Sequence, residues 1–154
     1  MNAMPHVAAF HELHGALASF SEDSDSHADN LSPLFDRFAA PDVSVRFVGQ
    51  EFMLARDLKG LQAVKEYFQG TFLPAFYGAL DTTKPVHSEP PIFMGSHDSE
   101  WSAVEMRGSA TTKNGKPWVN EVVLVVRSNK AGKWVEVKVY MDTLHLQTHL
   151  LQAK

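Results

Sequence analysis

The sequence predicts an α+β fold, with helices packed in an antiparallel sheet, and three observations predict it. Early apolar residues recur at helical spacing, beginning with Val7, Phe10, Leu13, Leu17 and Phe20. From Thr82 onward the chain reads as strands instead. Two turn signals, Asn114-Gly115 and the run from Ser128 to Lys133, join the last strands as hairpins. Helices first and a sheet second is the α+β order. A length of 154 residues suits one domain with one core, spanning 1–154.

Taken in order, Pro5 suits the start of the first helix. The polar, acidic stretch from Ser21 to Asn30 reads as a surface connection. Ser32-Pro33 looks like an N-cap followed by proline at the first helical position. "DVSVRFVG" alternates as a strand, with "EFMLARD" as its hairpin partner. Gly60 precedes a third helix whose buried stripe holds Leu61, Val64, Tyr67 and Phe68, and Pro74 should kink or end it. Short strands around Pro90-Pro91 come next. Three longer ones follow, "EWSAVEMRGSAT", "PWVNEVVLVVRS" and "WVEVKVYMD", and then a short helix, "TLHLQTHLL".

Composition excludes several classes. Net charge is -4, against the basic face that nucleic acid requires. There is no cysteine, hence no disulfide and no thiolate chemistry. The first residues lack a signal-peptide pattern, and no apolar run approaches the roughly 20 residues of a membrane span. The expected location is cytoplasmic. His11/His14 and His145/His149 have metal-capable spacings, but no convergent acidic motif accompanies them, so no metal site is expected.

Register follows from the turns. A two-residue turn at Asn114-Gly115 pairs Ser109 with Asn120, Arg107 with Val122 and Glu105 with Leu124. A four-residue second loop pairs Asn120 with Met141 and Val122 with Val139. One face then carries Trp101, Glu105, Arg107, Ser109, Trp118, Asn120, Val122, Val139 and Met141. It is expected to cover the helices, so Asn120 points inward and Glu121 outward. The other face carries Met106, Val123, Val125, Trp134 and Tyr140, an apolar patch suited to a homodimer interface.

Gly60, "NGKPWVNE" and "GKWVEVKVYMDT" carry a resemblance to the SnoaL-like branch of the nuclear transport factor 2-like superfamily, from about Phe35 to Thr143. The resemblance implies a conical, strongly curved sheet wrapped on helices, with a deep pocket at the open end. It implies a range of activities too, from polyketide cyclases, ketosteroid isomerases, limonene epoxide hydrolases and scytalone dehydratases to non-enzymatic binding modules. Val139 stands where that family carries an acidic residue, which counts against water-activating epoxide hydrolysis.

The candidate site follows. Glu105 would move a proton, with Arg107 and Asn120 stabilising the oxygen of an enolate. The alternative is a structural Glu105–Arg107 ion pair. His14 and His87 are further acid/base candidates. Trp101, Ser109, Trp118, Val122, Val139, Met141 and Tyr67 would contact substrate, although a backbone carbonyl is the more natural partner for the Tyr67 hydroxyl. Asp142 reads as an N-cap ahead of a catalytic acid. The expected function is a cofactor-independent isomerase or cyclase. The family resemblance implies the substrate class, a hydrophobic polyketide- or terpenoid-derived carbonyl compound from secondary metabolism. The alternatives are a dehydratase acting on a cyclic alcohol and a non-catalytic binding module for a small molecule or a protein.

Overall fold

The computed structural model describes residues 9–12, 27–95 and 99–151. Helix α1 is His27–Phe38. Strands β1 (Ala39–Phe47) and β2 (Arg56–Lys59) follow. Helix α2 (Leu61–Tyr67) runs through a π turn (Phe68–Phe72) into α3 (Leu73–Gly78). Then come β3 (His87–Ser88), β4 (Ile92–Gly95), β5 (Trp101–Thr111), β6 (Pro117–Ser128) and β7 (Trp134–Met141). Helix α4 (Thr143–Leu146) closes the described chain, with a π turn after it. None of these helices is long and apolar enough to cross a membrane.

The curled, unclosed seven-stranded sheet has the order β2-β1-β7-β6-β5-β3, and β4 also pairs with β5. All pairings are antiparallel except β1 with β7. Its inner face packs Val104, Leu124, Val126, Val137 and Val139 against Phe35, Val64, Phe72 and Leu73 of the helices. This is the α+β arrangement expected.

Two prolines behave differently from expectation. Pro33 lies inside α1, because the helix begins at His27 and absorbs the end of the acidic stretch. Pro74 neither kinks nor ends the helical run. The π turn before it widens the backbone, with the Leu73 N–H reaching back to the Phe68 carbonyl. Pro74 then sits in the first turn of α3, where a missing N–H costs least.

Both long hairpins close with three-residue loops. The Thr112 N–H donates to the Lys116 carbonyl at 2.9 Å, and the Gly115 N–H to the Thr112 carbonyl at 2.8 Å. Gly115 has φ 76°, and no described non-glycine residue has a positive φ. A two-residue type I′ turn needs positive φ at both central residues, so Asn114-Gly115 is not one. The loop is Lys113-Asn114-Gly115, with glycine alone in the left-handed region. Lys130-Ala131-Gly132 repeats the design, with Gly132 at φ 76°.

The extra loop residue shifts β5 against β6 by one. Gly108 lies opposite Asn120, Arg107 opposite Glu121, and Glu105 opposite Val123. A one-residue shift reverses the faces, so Val104, Met106 and Ala110 point inward while Glu105 and Arg107 point outward. The β6–β7 register differs from expectation by two, pairing Val122 with Met141 and Leu124 with Val139, which preserves the faces. A bulge at Arg127/Ser128 then turns Trp134 inward. It is 4% exposed and stacks on Phe10 at 5.2 Å between ring centroids. The apolar patch expected on the outer face thus loses Trp134 and Met106 to the interior.

Asp142 is the N-cap of α4, its carboxylate accepting the His145 N–H at 2.9 Å. Asp142→Ala should lower stability by about 1 kcal/mol. The decisive readout is amide exchange at His145 and Leu146, which should accelerate; unchanged exchange there would refute the cap.

Candidate functional site

The curl of the sheet around α2 and α3 leaves a cavity of about 170 Å³. The helical wall is aromatic. Phe68, Phe72 and Phe76 recur four residues apart, with Tyr77 beside them. They share one side of the run because residues four apart lie on the same helix face. Phe68 and Phe72 are 5.1 Å apart between ring centroids, and Phe72 and Phe76 6.0 Å. The sheet supplies Trp118, Val122, Val139 and Met141. Trp118 is 3% exposed and meets the Phe76 ring edge-on at 4.8 Å.

Few polar groups border this space. Asn120 is half-buried on the inner face of β6, and its amide has no hydrogen-bond partner among the described residues. Ser88 of β3 and Ser109 of β5 lie at the rim. Burial pushes the Tyr77 hydroxyl well above the usual phenol range, so it keeps its proton. The indole nitrogens of Trp118 and Trp134 are buried beyond the reach of water and have no hydrogen-bond partner among the described residues.

Of the remaining expected site residues, Arg107 stays at the cavity's edge and the other described ones are placed elsewhere. Glu105 is exposed on the outer face and is not part of the cavity wall. Arg107 borders the cavity, but its guanidinium pairs with Glu121 at 3.1 Å and Glu89 at 3.4 Å. Glu105 and Arg107 therefore do not pair with each other. Trp101 lies outside too, with Arg127 and Lys138 over its ring at 5.8 and 5.3 Å. His87 is exposed, and its neighbour Ser88 reaches the cavity instead. The Tyr67 hydroxyl donates to the Leu54 carbonyl, and Tyr67 is not part of the wall. Its pKa is raised by burial, with Arg56 partly offsetting this. His14 lies outside the described residues. The cavity thus brings together Asn120, Trp118, Val122, Val139, Met141, Ser109 and Arg107 of the expected set, Arg107 with its guanidinium engaged by Glu89 and Glu121.

Sequence reasoning passed over Phe72, Phe76, Tyr77 and Ser88. For the phenylalanines a signal existed, since "FQGTFLPAF" spaces its aromatic residues by four. Expecting Pro74 to break the helix removed the reason to continue that stripe.

Glu105→Gln should leave stability within about 0.5 kcal/mol of wild type, as for exposed sites without special contacts. It should also leave ligand affinity unchanged. Loss of affinity in titration calorimetry would return Glu105 to the site.

A solved nuclear transport factor 2-like protein of unknown function from Burkholderia pseudomallei superposes with a TM-score of 0.65 at 17% identity, covering 97% of this chain and 98% of that one. The chain has the nuclear transport factor 2-like fold. Two further proteins superpose over nearly their whole length. One, from Bacillus subtilis and named as a candidate isomerase, gives a TM-score of 0.66 at 16% identity, covering 97% of this chain and 95% of that one. The other, from Mycobacterium tuberculosis, was solved in complex with estradiol-17beta-hemisuccinate. It gives a TM-score of 0.60 at 17% identity, covering 93% and 98%. No family model matches the sequence, and no curated protein matches it. At this likeness in shape and this distance in sequence, what is shared is the fold.

Proposed function

We propose that the cone binds a hydrophobic ring compound carrying a carbonyl or hydroxyl oxygen. The observation that carries this is the Asn120 amide, without a hydrogen-bond partner among the described residues, in a wall built mostly from aromatic and aliphatic side chains. Burying apolar ligand surface supplies affinity, and one placed polar group supplies orientation. The Asn120 NH₂ donates to a ligand oxygen, replacing water that the free site would otherwise hold. Thermal unfolding with a panel of ring ketones and their matched hydrocarbons tests the reading. Ketones should raise the melting temperature more than hydrocarbons of equal size. Equal shifts, or none, would refute it.

A second reading adds chemistry, with the chain acting as a cofactor-independent isomerase or cyclase on the same carbonyl compound. The shape shared with the Bacillus subtilis candidate isomerase favours it. Confinement brings reacting atoms together, a water admitted at the rim takes up the proton next to the carbonyl and returns one to the product, and Asn120 stabilises the negative charge developing on the carbonyl oxygen. Glu105 has no part in this, since its carboxylate lies on the far face of the sheet. Accelerated exchange of the protons next to the ligand carbonyl in deuterated buffer, followed by NMR, separates conversion from binding alone.

A further inference from the structure

We infer that the ligand is a one-ring ketone or phenol that enters apolar end first and leaves its oxygen at the rim beside Asn120. The inference rests on the binding reading above and adds size and orientation to it.

Size follows from volume. A dry apolar cavity of roughly 150 Å³ accommodates a benzene ring. At about 170 Å³ the cone has room for one ring and small substituents, and four fused rings exceed it.

Orientation follows from where polarity lies. The deep wall is formed by Val43 and Val64, each 1% exposed, with Leu124 and Trp134 at 7% and 4%. The indole nitrogens that might have offered a donor there are sealed from the cavity. An oxygen among these described side chains would lose its water without gaining a partner. At the rim the balance reverses. Ser88 is exposed, and Asn120, Gly108 and Ser109 are half-buried, so the oxygen meets the Asn120 amide while the ring fills the apolar end.

Titration calorimetry on the wild-type chain tests both. The probes are acetophenone, octanophenone with its long chain on the carbonyl side, 4-octylacetophenone with the chain at the far end, 4-acetylbenzoate, and progesterone. Acetophenone and octanophenone should bind, because the carbonyl side faces the mouth. The far-end chain, the far-end carboxylate and the four-ring skeleton should each weaken binding by about tenfold or more relative to acetophenone. Tightest binding by progesterone, or a preference for 4-octylacetophenone over octanophenone, overturns the inference and leaves the binding reading standing. Binding by none of the five overturns both.

Discussion

Asn120→Leu is expected to weaken ketone binding about tenfold, equivalent to about 1.4 kcal/mol, without lowering the stability of the free protein. The substitution keeps the size of the side chain and removes its donor. Asn120 makes no hydrogen bond to another described residue, so the fold loses no such bond in the exchange. Its neighbours across the strands are Gly108 and the apolar wall, which receive leucine at little cost. The bound ketone then faces a wall without a donor and pays for desolvating its oxygen. Calorimetry and a thermal melt on the same sample make the comparison. A variant that melts well below wild type would show that Asn120 is structural. Unchanged affinity would show that the ligand oxygen lies elsewhere.

Phe47→Ala is expected to destabilise the protein by about 3–5 kcal/mol, the range for truncating a buried phenylalanine. Phe47 is 3% exposed on β1. Its ring lies 4.9 Å from Phe72, 5.3 Å from Tyr67 and 5.9 Å from Phe68. It therefore joins the sheet to both the α2 segment and the π turn. For a chain of this length each kcal/mol lowers the melting temperature by roughly 2–4 °C. Chemical denaturation supplies the free energy directly, and Phe47→Leu, which keeps more of the packing, should cost much less. A loss below about 1 kcal/mol for the alanine variant would mean the helices do not seat on β1 as described.

Much of this fold was legible in the sequence because it depends on short-range rules. Alternation along "VNEVVLVV" placed β6 as a half-buried strand with Asn120 on the inner face. Asp142 before a short apolar helix declared a cap, and the structure contains it. The β6–β7 faces came out right despite a register error, because an even shift preserves alternation. The β5–β6 faces came out reversed because the shift was odd.

That odd shift decided the fate of the candidate site. Asn-Gly is compatible with a two-residue turn, with both residues left-handed, and with a three-residue loop in which only glycine is. The dipeptide is the same in each, and the choice rests on how the two strands twist and pack once paired. One residue of difference sends Glu105 and Arg107 to the outside, where Arg107 finds Glu89 and Glu121. The bulge that turns Trp134 inward is a decision of the same kind.

The sequence by itself determined the α+β class, the order of most elements and the inward direction of Asn120, because each follows from local periodicity and turn chemistry. Only the tertiary structure decided which strand residues share that face, that the helical run continues through Pro74, and that the cavity is aromatic. Those outcomes depend on pairing between segments far apart in the chain, where a single residue of register exchanges inside for outside.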